Sequence, residues 1–217
     1  MNLKDFIRSI PDYPKKGILF RDITTLIKDE KAFATTIDQI IERSKNFKIE
    51  KIAAIESRGF VFASAVSYLL EKPFIMLRKK NKLPAEVYSV DFELEYGTAT
   101  IEVHKDSFQK NNSVLIIDDL IATGGTAEAA AKLVKISGAN IACFVFVINL
   151  FDLGGCDNLI KKGYKVENFI TSHNRACTVP LRSTQLLVSD SPLAYFITAK
   201  KFVHPRTLCE IQKRHRR

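Results

Sequence analysis

The sequence lacks any hydrophobic run long enough to cross a bilayer. Its longest uninterrupted apolar stretch in 217 residues is Ile141 to Ile148, whereas a spanning helix needs about 20 such residues. The opening MNLKDFIRSI carries Lys4, Asp5 and Arg8 where a secretory leader would need an apolar block. A cytoplasmic location with no membrane association is the expectation. Cysteine is sparse: Cys143, Cys156, Cys177 and Cys209 lie far apart, with no CxxC pair and no histidines at metal-ligand intervals. That disfavours a zinc site or a disulfide framework and favours reduced thiols. Two nucleotide-binding motifs are missing as well. No glycine turn ends in Gly-Lys-Ser/Thr, and there is no three-glycine dinucleotide fingerprint. Repeats and low-complexity segments are absent.

What is present is an ordinary globular composition, 46% hydrophobic and 26% charged. The length suits one domain with room for an appendage and allows burial of about 70% of the unfolded surface. The net charge is +9, but it is unevenly placed. Lys200, Lys201, Arg206, Lys213, Arg214, Arg216 and Arg217 face a single acid, Glu210, in the last 18 residues. A basic tail of this kind can bind acidic surfaces, yet more often it is a solvated terminus.

From about residue 31 onward strand-like runs alternate with helical ones, which predicts an α/β fold with a largely parallel central sheet flanked by helices. Phe33, Ile37, Ile40 and Ile41 give a helical spacing over 31–45, and Lys51 to Ile55 is a short strand. A helix over 60–70 and a strand over 73–77 follow. Beyond them come an apolar strand at Val114, its helix closed by Ser137 and Gly138, the strand 141–148, and a shorter pair of strands around 158–162 and 164–170. Two stretches break the alternation. Residues 78–100 are too long for a connector and are a candidate lid. Residues 171–217 lose periodicity and form a separate, basic extension.

The segment VLIIDDLIATGGT, Val114 to Thr126, carries most of the chemistry. Its apolar run ends in Asp118 and Asp119, and a turn of Thr123, Gly124, Gly125 and Thr126 leads into the helix AEAAAKLVKI. Amides at a helix N-terminus are unpaired and partly positive, so a phosphate at this turn gains hydrogen bonds without needing a lysine. Neighbouring carboxylates suit vicinal hydroxyls or a hydrated magnesium ion. Alone, the turn is compatible with an ordinary strand-to-helix connection capped by two aspartates; the acid pair behind a four-residue apolar strand favours a sugar-phosphate site.

Other segments fit around it. Glu56-Ser57-Arg58-Gly59 follows a strand and opens a helix, at the sheet edge where ligands bind in open α/β folds. Arg58 could reach a pyrophosphate through its planar fork, or simply cap the helix or pair with Glu56. Arg78, Lys79, Lys80 and Lys82 concentrate charge at the start of the lid candidate, which ends in Leu94-Glu95-Tyr96-Gly97. Near the N-terminus, Gly17 to Ile23 is a short apolar strand between a glycine and a charged pair.

Taken in order, KGILFRDI, ESRGF, RKKNKLP, ELEYG and VLIIDDLIATGGT resemble the motifs of the type I phosphoribosyltransferases, and among them the adenine phosphoribosyltransferase family, over residues 1 to about 170. The resemblance implies transfer of phosphoribosyl from phosphoribosyl pyrophosphate to adenine, giving AMP and pyrophosphate, with magnesium on the diphosphate. It implies an N-terminal hood over 1–30, a core over 31–170 with the lid 78–100, and a homodimer. Asp118 and Asp119 would hold the ribose hydroxyls directly or through the metal, and Ala122, Thr123, Gly124, Gly125 and Thr126 the 5-phosphate. Ser57, Arg58 and Gly59 would contact pyrophosphate, with Arg78, Lys79 and Lys82 completing its neutralisation, Arg78 from the partner subunit of the homodimer. Adenine would meet the backbone at Leu19 and Arg21 and lie between Phe20 and Leu120. Glu95 would be the catalytic acid/base and Tyr96 part of the closing loop. The extension beyond 170 departs from the family pattern. Two other functions stay open: another type I transferase acting on xanthine, hypoxanthine or orotate, and a phosphoribosyl pyrophosphate-sensing regulator that binds nucleic acid. Nucleic-acid binding is not expected, because the excess charge sits in the tail and no winged-helix segment precedes the core.

Overall fold

The computed structural model describes residues 1–94 and 97–173. Glu95, Tyr96 and the basic extension beyond His173, with Cys177 and Cys209, lie outside the described residues. After a 3-10 turn at Leu3–Phe6, β1 (Arg8–Pro11) and β2 (Leu19–Asp22) pair antiparallel as a two-stranded ribbon, followed by the short helix α1 (Thr24–Lys28). Helix α2 (Glu30–Ser44) starts where the Asp29 carboxylate accepts the N–H groups of Lys31 and Ala32 at 3.1 and 2.8 Å. It buries Ala32, Thr36, Ile37, Ile40 and Ser44, one face of a 3.6-residue period.

The main sheet holds β3 (Lys51–Ile55), β4 (Phe74–Lys79), β5 (Val87–Leu94), β6 (Gly97–His104), β7 (Ser113–Ile121), β8 (Asn140–Leu150) and β9 (Val166–Ser172). Their spatial order is β5-β6-β4-β3-β7-β8-β9. The five strands from β4 to β9 in that order are mutually parallel, while β6 runs antiparallel to both β4 and β5. Helices α3 (Arg58–Leu70), α4 (Gly125–Ile136) and α5 (Gly155–Lys161) complete the fold.

Two apolar cores flank this sheet. Ala127 to Val134 of α4, with Cys156 and Leu159 of α5, cover one face. Ile37 and Ile40 of α2, with Phe62 and Val66 of α3, cover the other. Strand β7 is buried on both sides, with Val114 and Ile116 in one core and Leu115 and Ile117 in the other. Burial on two faces is why its sequence is a continuous apolar run rather than an alternating one. From β3 the chain crosses through α3 to β4 on one side; from β7 it crosses through α4 to β8 on the other. The sheet order therefore reverses between β3 and β7, and a crevice opens beyond their carboxyl ends.

Two expectations change. Residues 87–94 and 97–104 are two long antiparallel strands in register from Val87 opposite His104 to Leu94 opposite Gly97, not an irregular segment. Val90, Ile101 and Val103 are buried in them at alternating positions, so a period of two was present, interleaved with Asp91, Glu93 and Glu102. Residues 158–162 are mostly the second half of α5, not a strand. Cys156 and Leu159, three apart, are the side chains this short helix buries, and Gly163 at φ +86° follows it. Burial pushes the Cys143 thiol up to about 12 and the Cys156 thiol up to about 11, so both behave as inert core side chains.

The N-terminal ribbon is tied down by Asp22. Its carboxylate accepts the Thr24 N–H at 2.9 Å and pairs with the Arg8 guanidinium. The Thr24 amide, then Arg8, hold its pKa at about 2. A depressed carboxylate pKa means stability that is complete above the unfolded value near 4 and is lost as pH falls toward 2. Because Arg8 is more than half exposed, solvent screens part of the pair, and Asp22→Asn should cost about 1–2 kcal/mol at pH 7. Urea titrations should show that gap narrowing between pH 4 and pH 2; a gap independent of pH would assign the loss to packing.

Candidate active site

The crevice between β3 and β7 is an open cleft of about 770 Å³. Its floor is the carboxyl end of β7, where apolar strand gives way to Asp118 and Asp119. Asp119 is 3% exposed. Its Oδ2 lies 3.0 Å from Arg58 Nε, at ion-pair distance but without hydrogen-bond alignment, so that oxygen has no hydrogen-bond partner. The Asp119 N–H donates to Asp118 Oδ1 at 2.9 Å. Burial first, and then the neighbouring charge of Asp119, push the Asp118 pKa well above the usual carboxylate range. Burial raises Asp119 as well, against the opposing pull of Arg58. Each acid so placed disfavours ionisation of the other, which suits a site that receives a cation or hydroxyl donors.

One wall is the turn 122–126. Gly124 takes φ +93° at the N-terminus of α4, where no side chain caps the helix. Its first amides are thus free to face a ligand, with the positive end of the helix behind them. Three close approaches shape this turn and the floor beside it. An added Cβ on Gly125 would sit 3.2 Å from the Glu93 carbonyl of β5, so that strand packs directly over it. A Cβ on Gly59 would meet Asp118 Oδ1 at 2.8 Å and the Ile117 carbonyl at 2.9 Å, so α3 begins hard against β7. Gly155 packs behind the turn, its N–H donating to the Ala122 carbonyl at 3.0 Å.

The opposite wall is Ser57 and Arg58 at the start of α3, with Lys79 from the end of β4. The peptide bond between Glu56 and Ser57 is cis. Arg58 lies under the ribbon with its guanidinium carbon 5.6 Å from the centroid of the Phe20 ring. Phe20, Ile18, Leu120, Leu150 and Leu153 make the apolar end of the cleft.

The cleft thus gathers Phe20, Ser57, Arg58, Lys79, Asp118, Asp119, Leu120, Ala122, Thr123, Gly124, Gly125 and Thr126. Other sequence candidates do not line it. Gly59 lies beneath the floor. The Arg78 guanidinium pairs with Glu56 at 3.1 Å, so Glu56 partners Arg78 while Arg58 goes to Asp119. Lys82 is exposed on the turn after β4. The Arg21 side chain turns away to donate to Ser9 Oγ and, at 2.7 Å, to the His173 carbonyl. Glu95 and Tyr96 lie outside the described residues. Sequence reasoning missed Ile18, Leu150 and Leu153 as wall residues, Glu56 as the acid that organises the cations, and Gly155. The Gly154-Gly155 pair after a strong strand was the available signal.

A magnesium ion fits this donor set only with help. No group of three or more His, Cys, Asp or Glu side chains that could hold a metal occurs among the described residues. Asp118 and Asp119 offer two carboxylates, one with an unpaired oxygen, which matches a metal carried mainly by substrate oxygens and water.

Residues 23–179 match the family model described as the phosphoribosyl transferase domain. Over 170 residues the chain is 84% identical to the adenine phosphoribosyltransferase of Pelagibacter ubique, covering 78% of this chain and 97% of that protein. Among solved structures it resembles the adenine phosphoribosyltransferase of Thermoanaerobacter pseudethanolicus, with a TM-score of 0.76, 44% identity and coverage of 78% and 98% of the two chains. The Giardia lamblia enzyme complexed with 9-deazaadenine aligns with a TM-score of 0.75 and 32% identity, covering 80% of this chain and 99% of that one. The chain belongs to the phosphoribosyltransferase family and, within it, to the adenine phosphoribosyltransferases.

Proposed function

We infer that this chain transfers the phosphoribosyl group of phosphoribosyl pyrophosphate to adenine, releasing pyrophosphate and forming AMP. The observation that carries this is the cleft itself. One wall is an uncapped helix N-terminus, the floor an acid pair, the other wall cationic, and the rest of the lining apolar.

The residues divide the work by chemistry. The amides of 123–126 anchor the 5-phosphate. Asp118 and Asp119 accept the ribose hydroxyls and face the positive charge that develops on the sugar as its bond to pyrophosphate breaks. Ser57, Arg58 and Lys79 stabilise the leaving diphosphate, aided by Lys82 and by Arg78 of the partner subunit. Magnesium, when bound on the diphosphate beside Asp118 and Asp119, adds charge neutralisation. Phe20 and Leu120 sandwich adenine. Leu19 and Arg21, two apart on β2, point their backbone groups to the same edge of the strand and offer them to the base. Glu95 serves as acid/base near the purine and, with Tyr96, belongs to the segment that closes and excludes water.

A homodimer is the proposed assembly. Helix α3 carries exposed Val61, Tyr68 and Leu69 along one stripe, and Met76 of neighbouring β4 is exposed too. The phosphorylated substrate and product are held inside cells by their charge, and the cytoplasm is the proposed site of action. Purified protein with magnesium and phosphoribosyl pyrophosphate should form AMP from adenine. Formation of a nucleotide only from xanthine, hypoxanthine or orotate would move the chain to another branch of the family.

A further inference from the structure

Of the four basic residues between Arg78 and Lys82, Lys79 is the one that lines the cleft. Lysine is a point charge on a flexible stem, so an exposed one is useful at a reaction centre only if its backbone is fixed. Here the backbone is held at three successive residues. Glu56 Oε2 accepts the Lys79 N–H at 2.7 Å, the Thr100 carbonyl accepts the Lys80 N–H at 3.2 Å, and Glu102 Oε2 accepts the Asn81 N–H at 2.9 Å. Asn81 is in the left-handed region, φ +64°, where the chain turns away from the sheet.

Glu102 is unusual. It is a carboxylate only 5% exposed, between the buried Ile101 and Val103 of β6. Its hydrogen bonds go to Asn81 and, at 3.3 Å, to Ser89 Oγ of β5. Register explains the geometry, because Arg78 and Ser89 both lie opposite Glu102. Paired residues share a sheet face, so Arg78, Glu102 and Ser89 form one row across β4, β6 and β5, and Glu56, one residue beyond β3, meets its end through the ion pair with Arg78.

We propose that Glu102 is a positioning residue for the diphosphate: its carboxylate pins the turn at Asn81 so that Lys79, held on the other side by Glu56, presents its ammonium to the cleft. The inference rests on the transferase reading above and deepens it. Glu102 touches no substrate. Its removal therefore loosens the hold on phosphoribosyl pyrophosphate and leaves adenine recognition, at the far end of the cleft, alone.

Initial rates of AMP formation over both substrates, with melting temperatures, test this in Glu102→Ala, Glu102→Gln and Ser89→Ala. Glu102→Ala should raise the KM for phosphoribosyl pyrophosphate about tenfold with the adenine KM within about twofold. Glu102→Gln, which keeps an acceptor for Asn81 and a donor for Ser89, should restore it to within about threefold, and Ser89→Ala should match the unaltered protein. Should Glu102→Ala fail to fold, Glu102→Asp shortens the reach by one methylene and should show the same one-sided KM effect. Unchanged KM values, KM values raised in parallel, or a glutamine variant as impaired as the alanine one would overturn the proposal. If the unaltered protein forms no AMP, the transferase reading itself fails; an active protein whose variants show no KM split sinks the positioning role alone.

Discussion

Replacing Asp118 and Asp119 together by asparagine should lower kcat/KM for AMP formation by about a thousandfold while raising the melting temperature of the free protein. The activity loss follows from charge, since asparagine keeps the shape and much of the hydrogen bonding but offers no anion to a developing ribosyl cation or to a diphosphate-bound metal. The stability gain follows from the sign of the pKa shifts. Both carboxyl groups are raised by burial, and Asp118 further by the charge of Asp119. An acid whose folded pKa is raised costs stability above its unfolded value, because the fold disfavours the ionised form. Removing the charge relieves that cost at neutral pH. A relief of about 1 kcal/mol corresponds to about 2–4 °C in a domain of this size. Calorimetry without substrate decides the point: a fall of several degrees would mean that the pair supports the fold, and the site would lose its reason for carrying two buried acids.

The same residues show which parts of the site sequence can reveal. The run Val114 to Ile117 is legible because burial on both faces leaves a continuous apolar signature, and the change to Asp118 marks the carboxyl end of the strand. The uncapped turn at Gly124 is legible because its φ of +93° suits few residue types other than glycine. Helix α2 is legible from its period. Pairing across strands is not. Nothing local distinguishes Arg58 with Glu56 from Arg58 with Asp119, and register between β3, β4 and β7 decides it. The direction of Arg21 is hidden for a related reason: a two-stranded ribbon must put alternate side chains on opposite faces, and only docking shows which face meets the cleft.

The strand pair β5–β6 was obscured by its own charges. Glu102 and Asp91 interrupt what is otherwise a half-buried alternation of Val90, Ile101 and Val103, and the cation run before it looks like the start of a solvated loop. With Glu102 hydrogen-bonded to Asn81, the acid that weakened the strand signal is also the group that organises the turn. Local propensity failed here at a residue next to the chemistry, where such conflicts concentrate. Helix α5 failed for a simpler reason, since seven residues are too few to display a 3.6-residue period.

Gly155→Ala should be the most damaging single-atom change in the phosphate wall. The added Cβ would collide with the Ala122 carbonyl and lie 2.8 Å from Ile121 Cγ1 and 2.9 Å from the Gly124 amide nitrogen. Two of those neighbours are backbone of the turn that binds the 5-phosphate, so no side-chain rotation relieves the clash. Either α5 moves away, breaking the bond from the Gly155 N–H to the Ala122 carbonyl, or the turn itself shifts. Overpacking of this kind costs on the order of 3 kcal/mol, about 6–12 °C in melting temperature. Any folded fraction should bind phosphoribosyl pyrophosphate at least about tenfold more weakly. Gly154→Ala separates crowding from backbone strain. Gly154 sits at φ +69° with open space around its Cα, so alanine there should cost about 1–2 kcal/mol and leave substrate affinity intact. Equal damage from the two substitutions would show that the glycine pair matters only for its turn. Loss of affinity confined to Gly155→Ala would show that close packing of α5 sets the shape of the phosphate cradle.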